Sequence, residues 1–231
     1  MSSPPDVEQF YNKNGYFVFT NVLSHTEIDE YRDEIMKYLS QNKNTIMKNA
    51  DGFTIPDYIK LSQLEKTATL KDHPKIHANL EILFHGLNYR FCGHNDIGIN
   101  RLVGWHKDKL NGDVEKYQVH DIWGHYEGDK HEIVKVLTYL EDHSNDNDGL
   151  KLVPGSHMKR EINGTGAIQL RPKKGDVIIF DQRITHRGMD RQCKDSRILV
   201  SMGFGKNNIF TDEFEKGTII RQNNQNGVKR R

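Results

Sequence analysis

A chain of 231 residues is long enough to bury one substantial core, and 35% hydrophobic with 28% charged residues describes an ordinary globular protein. The formal net charge of +1 excludes a single-sign field that would gather nucleic acid, and no apolar stretch approaches the ~20 residues of a membrane span. Two cysteines, Cys92 and Cys193, without a CxxC pair, exclude a disulfide framework and a zinc knuckle.

These features predict a single domain in the cytoplasm, a monomer or small homo-oligomer, with neither nucleic acid nor membrane as a partner, and the composition itself names no other partner. The opening Met1-Ser2-Ser3-Pro4-Pro5-Asp6 lacks a basic segment followed by an apolar run, so no secretory leader is expected. In chain order, Val7, Phe10 and Tyr11 recur at helical spacing after Asp6, and Asn14-Gly15 ends the run. Tyr16-Phe17-Val18-Phe19 reads as a buried strand. Ser24 and Glu27 have the form of a capping box, and Ile28, Tyr31, Ile35 and Leu39 continue one apolar stripe to about Leu39. Asn42 to Lys60 is polar, with Asn49, Asp51-Gly52 and Pro56, and reads as an irregular segment folded over the core or a pocket. His73-Pro74 opens another helix, with Ile76, Leu80, Leu83 and Phe84 on one stripe, ending near Gly86.

From Tyr89 the pattern changes to short β-branched or alternating runs separated by Gly, Asn and Asp clusters. The runs are Tyr89 to Cys92, Ile97 to His106, Ile133 to Leu140, Leu150 to Val153, Ala167 to Leu170, Asp176 to Phe180 and Arg197 to Phe204. Helices first and strands afterwards predict a sheet sandwich or barrel with helices supporting one side. Arg221 to Arg231 is polar and basic and is predicted to be a flexible tail.

The chemistry gathers at Trp105-His106-Lys107-Asp108. Side chains repeat every two residues along a strand, so His106 and Asp108 share a face and can bind one ion together. Asn100 has the same parity if the strand is unbroken, while Trp105 and Lys107 face the other way. His94-Asn95-Asp96 has the same spacing, but His94 follows Cys92-Gly93 and reads as a turn between strands. His106 instead opens into the polar stretch Lys109-Leu110-Asn111-Gly112-Asp113, with room for a substrate, and is the preferred ligand. A facial set for iron needs a second imidazole from another strand, leaving positions open. His186 is the candidate, after the buried run Val177-Ile178-Ile179-Phe180. Arg197 opens an otherwise apolar strand, and a guanidinium there needs a carboxylate partner, which a bound dicarboxylate would supply.

Four pieces carry a family resemblance: Trp105-His106-Lys107-Asp108, Gly149-Leu150-Lys151-Leu152-Val153-Pro154-Gly155-Ser156-His157, the Gly175 to Phe180 run before His186, and Arg197. The opening Asn14-Gly15-Tyr16-Phe17-Val18-Phe19 followed by a helix fits the same pattern. The chain resembles the phytanoyl-CoA dioxygenase family of iron(II)- and 2-oxoglutarate-dependent oxygenases over residues 6 to 205. The resemblance implies a mainly β fold, a double-stranded β-helix or cupin-like jelly roll with supporting N-terminal helices. It implies that His106, Asp108 and His186 hold iron(II), and that Arg197 binds the distal carboxylate of 2-oxoglutarate. Asn100 is the first further cosubstrate contact expected, with Lys135 or Tyr139 behind it.

The reaction so implied consumes 2-oxoglutarate and O2, releases succinate and carbon dioxide, and hydroxylates an unactivated carbon. Related halogenases have a small residue where this chain has Asp108, so hydroxylation is the expected outcome. Two alternatives stay open: a cupin-type metalloprotein that uses no 2-oxoglutarate, and a non-catalytic ligand-binding relative. His157 is read as a structural corner. His120, Asp121, Trp123, His125 and Tyr126 are read as surface or as a border of the substrate pocket. Family members act on many small molecules, so the fold does not transfer a substrate. Lys and Arg (33) nearly balance Asp and Glu (32) and lie scattered, which disfavours a phosphate-rich acyl-CoA, although Lys107 and Lys109 offer a local patch. Asn42 to Lys60 and Lys109 to Lys130 are the expected walls around a small polar metabolite.

Overall fold

The computed structural model describes residues 6–42, 47–49, 52–86, 88–108, 133–143, 149–188 and 197–228. The elements are α1 (Val7–Asn14), β1 (Tyr16–Phe19), α2 (His25–Asn42), β2 (Met47–Asn49), β3 (Gly52–Pro56), α3 (Glu65–Ala68), α4 (Pro74–Leu83), β4 (Tyr89–Ile99), β5 (Ile133–Tyr139), β6 (Lys151–Leu152), β7 (Ile168–Gln169), β8 (Val177–Asp181), β9 (His186–Arg187), β10 (Ile198–Lys206) and α5 (Ile209–Val228).

Local chemistry explains the first elements. The Asp6 carboxylate accepts from the backbone N–H of Glu8 and Gln9 and starts α1. Gly15, at φ 78, ends it, donating its N–H to the Tyr11 carbonyl at 2.6 Å. Only glycine fits there for a second reason, because a Cβ would lie 2.4 Å from the His157 ring. At α2 the capping box forms in both directions: Glu27 N donates to Ser24 Oγ at 3.2 Å, and Ser24 N donates to Glu27 Oε2 at 2.8 Å. The helix runs three residues past Leu39, to Asn42.

The strands form two layers, with every strand pair antiparallel. The large sheet has the order β1-β8-β5-β10-β4-β3-β2 and the small one β7-β6-β9. An isolated bridge between His106 and His186 adds a further segment to the small layer. This is the jelly-roll architecture, mainly antiparallel β with α2 and α4 covering one side. Period-two alternation sorts the large sheet's two faces. Ile97 and Ile99 of β4, Val134 and Val136 of β5, and Ile198, Val200 and Met202 of β10 pack with Ile28, Ile35, Ile76 and Leu80 from the helices. The alternate residues, Asp96, Lys135, Tyr139, Arg197 and Ser201 among them, line a cavity on the opposite face. Gly203 marks a register shift in β10, where a Cβ would come within 2.8 Å of Cys92 Sγ.

Four expectations are corrected here. Within Asn42 to Lys60 the described residues are not irregular: β2 pairs with β3 and β3 with β4, so Phe53 faces Ile99 and Ile55 is fully buried. His94 is no turn residue, since β4 runs unbroken from Tyr89 to Ile99. The strand expected to reach His106 breaks at Asn100, which takes φ 50. Arg221 to Val228 belongs to α5 rather than to a flexible tail. That helix starts where Asn208 Oδ1 accepts from Phe210 N and Thr211 N, and it packs on β4 with Phe214, Thr218 and Gln222 buried. Among the described residues no helix is long and apolar enough to cross a membrane. Cys92 is buried and free, and Cys193 lies outside the described residues.

Candidate functional site

Backbone pairing assembles the three expected donors. His106 N donates to the His186 carbonyl and His186 N to the His106 carbonyl, both at 2.9 Å, and Asp108 N donates to the Gln182 carbonyl at 2.8 Å. The 106–108 segment is thereby zipped onto the turn that follows β8. His106 Nδ1 lies 2.8 Å from the Gly104 carbonyl, and His186 Nδ1 lies 3.0 Å from the Ile184 carbonyl. A carbonyl only accepts, so each Nδ1 carries the hydrogen and each Nε2 keeps a free lone pair. His106 Nε2 is 3.5 Å from Asp108 Oδ1, and His186 Nε2 is 3.8 Å from Asp108 Oδ2. Donor atoms of His106, Asp108 and His186 lie within 4.8 Å of one another.

Two neutral imidazoles and one carboxylate on one face suit an octahedral divalent metal with positions left open, and backbone anchoring of both rings is the usual support for metal-binding histidines. Electrostatics treats the two rings differently: at His106 burial, which lowers the pKa, is outweighed by the hydrogen bond and charge of Asp108, and the pKa is raised. Burial lowers the pKa of His186 to about 4, keeping it neutral. For Asp108 burial works the other way, but the charge of Lys135 leads the interactions that hold its carboxyl well below the ordinary range. Lys135 Nζ is 3.7 Å from Asp108 Oδ2. Phe180 packs on His186 with ring centroids 4.8 Å apart.

Arg197 stands across the cavity, 6% exposed. Its Nη2 donates to Tyr139 Oη at 2.6 Å, and the guanidinium lies 4.7 Å from the centre of the Tyr139 ring. Its Nε is buried without a hydrogen-bond partner, and among the described residues no carboxylate pairs with it. A buried guanidinium left in this state asks for an anion. The residues therefore fit the implied pair of a divalent metal and a dicarboxylate.

The other sequence candidates separate cleanly. Lys135 and Tyr139 line the cavity, at its metal end and its arginine end. Asn100 does not line it: its Oδ1 accepts from Arg197 N at 2.7 Å, a consequence of the break in β4. Lys107 cannot serve a phosphate patch, because it is 1% exposed and its Nζ donates to the Ser156 and Arg183 carbonyls, each at 2.7 Å. Burial lowers its pKa to about 8. His94 and Asp96 share the cavity with the triad, but His94 uses both ring nitrogens on other partners and Asp96 gives one oxygen to Arg221. His94 Nε2 meets Ser201 Oγ at 3.1 Å, and Arg221 donates to His94 Nδ1 at 3.1 Å. His157 is structural: its Nε2 faces the Asn12 carbonyl at 3.2 Å, beside Gly15. The His120 to Tyr126 cluster and the Lys109 to Lys130 wall lie outside the described residues.

Sequence reasoning missed Arg101 and Arg221, which also line the cavity. Arg101 was hidden by the assumption of an unbroken strand. Arg221 was hidden because α5 turns polar side chains inward and so lacks a clear apolar stripe.

A family model described as phytanoyl-CoA dioxygenase (PhyH) matches residues 11–199. Solved structures with the same fold include HygX from Streptomyces hygroscopicus with nickel and 2-oxoglutarate bound, 15% identical, TM-score 0.68, covering 89% of this chain and 88% of that one. SnoN, a non-heme alpha-ketoglutarate-dependent epimerase from nogalamycin biosynthesis, is 19% identical with TM-score 0.68, over 87% of this chain and 81% of its own. SnoK, a carbocyclase from the same biosynthesis, is 16% identical with TM-score 0.69, over 88% and 84%. No curated protein matches in sequence.

Proposed function

The chain belongs to the phytanoyl-CoA dioxygenase family, and from that premise we propose that it is an iron(II)- and 2-oxoglutarate-dependent dioxygenase that hydroxylates a carbon of a small polar metabolite. One observation carries the reading: a two-histidine, one-carboxylate donor set faces, across one cavity, a buried arginine whose Nε has no partner. When bound, iron(II), 2-oxoglutarate and O2 supply an oxidative decarboxylation to succinate and carbon dioxide that drives oxidation of a substrate C–H bond.

The protein's part is to bind, orient and exclude water. His106 and His186 present fixed Nε2 lone pairs, because both rings are anchored through Nδ1. Asp108 is kept ionised by Lys135 and supplies the third position, which leaves no gap for a halide. Arg197 takes the distal carboxylate of the cosubstrate in its planar fork, with Tyr139 holding the guanidinium in register. Leu137, Leu150, Phe180 and Leu199 keep the space between dry. SnoN and SnoK are described as an epimerase and a carbocyclase, so the fold does not select the outcome; Asp108 argues against halogenation, and hydroxylation is the reading put to the test.

The test has two parts. The metal-loaded protein is titrated anaerobically with 2-oxoglutarate and followed by the chelate absorption band, and succinate is measured with candidate substrates. Chelate formation with substrate-dependent succinate and hydroxylated product is expected. His186→Ala should lose iron binding and turnover together, and stoichiometric iron in that variant would remove His186 from the site.

A further inference from the structure

The cavity continues past the three donors to α5, and the charges along that wall do not balance. Asp96 Oδ2 lies 3.0 Å from Arg221 Nη1, so one oxygen of this acid is taken, while its Oδ1 is buried without a hydrogen-bond partner. Asp108 faces Lys135 and the metal position. Arg197 faces the cosubstrate. That leaves Arg101, partly buried on the cavity wall and laid across Gly98, where a Cβ would meet its Cδ at 3.1 Å. Among the described residues Arg101 makes no hydrogen bond or ion pair. It lies close enough to the metal end to act electrostatically on His106 and Asp108.

We propose that Arg101 is the substrate-recognising residue of this cavity, pairing with an oxyanion of the substrate, a carboxylate or a phosphate, so that a carbon of the same small molecule is presented to the metal end. This deepens the dioxygenase reading and depends on it. A guanidinium withdrawn from water is costly without an anionic partner, and its planar fork matches both oxyanions. Arg221 acts as a positioning residue: its ion pair fixes Asp96, the carboxylate whose charge bears most on Arg101 but which makes no hydrogen bond or ion pair with it. It comes from α5, beyond the 11–199 segment matched by the family model, so this wall is supplied partly by an element outside the matched region. The cavity of about 550 Å³ must also admit the cosubstrate, which leaves room for a small acid.

The experiment uses the iron(II)-loaded full chain with 2-oxoglutarate. Short-chain carboxylic acids, each paired with its primary amide, and sugar phosphates, each paired with the parent sugar, are compared for stimulated succinate release. The charged member of at least one pair is expected to exceed its neutral partner by ~30-fold or more in kcat/KM, as loss of a desolvated charge partner implies. The acid and phosphate arms tell which oxyanion is read. Arg101→Gln should erase the difference within a pair, mainly through KM, and Arg101→Lys should restore part of it. Equal stimulation by neutral members overturns the proposal. So does an Arg101→Gln protein whose 2-oxoglutarate Kd, read from the chelate band, rises in place of the substrate KM. Calorimetric binding of the same pairs is measured alongside, and absence of binding by every acid and phosphate also overturns it. Failure of the wild-type protein to bind iron or 2-oxoglutarate at all would instead strike the dioxygenase reading.

Discussion

At the scale of single residues, the cavity is governed by where desolvated charge finds an answer. Arg197 is held by one phenol and leaves Nε free, so its contribution to cosubstrate binding depends on the fork and not on charge alone. Arg197→Lys should weaken 2-oxoglutarate binding by ~10-fold or more, with a far smaller effect on iron affinity. Equal losses in both titrations would show that Arg197 supports the fold around the metal instead. Glu141 is a second case. It accepts from Ile198 N at 3.0 Å and pairs with Arg32 at 2.5 Å, yet burial dominates and raises its pKa from 4.5 to about 7. The folded chain therefore binds this proton more tightly than the unfolded chain. The resulting stability is fully present below pH 4.5 and is lost as pH rises through 7, an effect on the order of 3 kcal/mol. Chemical denaturation of wild type and Glu141→Gln across that window should bring the largest advantage of the variant above pH 7. A pH-independent difference would refute the raised pKa. Of the site residues, His106, Asp108, His186 and Arg197 were legible because spacing and an out-of-place charge in an apolar strand are local signals. Asn100 was misplaced because a positive φ at a non-glycine residue leaves no mark in an alternating pattern.

At the scale of elements, capping and alternation account for most of what could be anticipated. The Ser24 and Glu27 box is formed as its spacing predicts, and Ser24 lowers the pKa of Glu27 to about 2. Ser24→Ala should cost about 1 kcal/mol in denaturant unfolding, while Ser24→Asp should recover most of it. No change in midpoint for the alanine variant would mean that α2 is held by packing alone, through Ile28, Tyr31 and Ile35. The β2 and β3 strands were not anticipated because turn-forming residues surround so short a pattern. Phe53-Thr54-Ile55 becomes a strand by tertiary pairing, with β4 supplying the template. The C-terminal helix escaped notice for a related reason. Its inward face carries Thr211, Thr218 and Gln222 beside Phe210 and Phe214, so burial there does not track hydrophobicity.

At the scale of the whole molecule, the two layers are unequally secured. Among the described residues the large sheet has seven strands and buries its helix-facing side on α2 and α4, whereas the small layer is held by two ladders of two residue pairs each and the His106–His186 bridge. The order of helices and strands made the layered β architecture legible, but the pairing of 106–108 with 182–186 joins segments far apart in the chain and leaves no local trace. That pairing means that the proposed metal donors also form a seam of the small layer, a single bridge between His106 and His186 with one further bond from Asp108 N. Bound metal would then act as a rivet, closing a local opening that the empty protein undergoes without unfolding elsewhere. Amide hydrogen exchange should report this directly. The N–H groups of His106, Asp108 and His186 should exchange as one cooperative unit in the metal-free protein and slow together by ~10-fold or more on metal loading, while amides of β5 and β10 keep their rates. Exchange at His106 and His186 that responds to metal independently would mean that the seam does not open as a unit. If it does, iron supply would set how often this layer opens, and starvation for the metal would expose its edges to proteolysis as well as halting turnover.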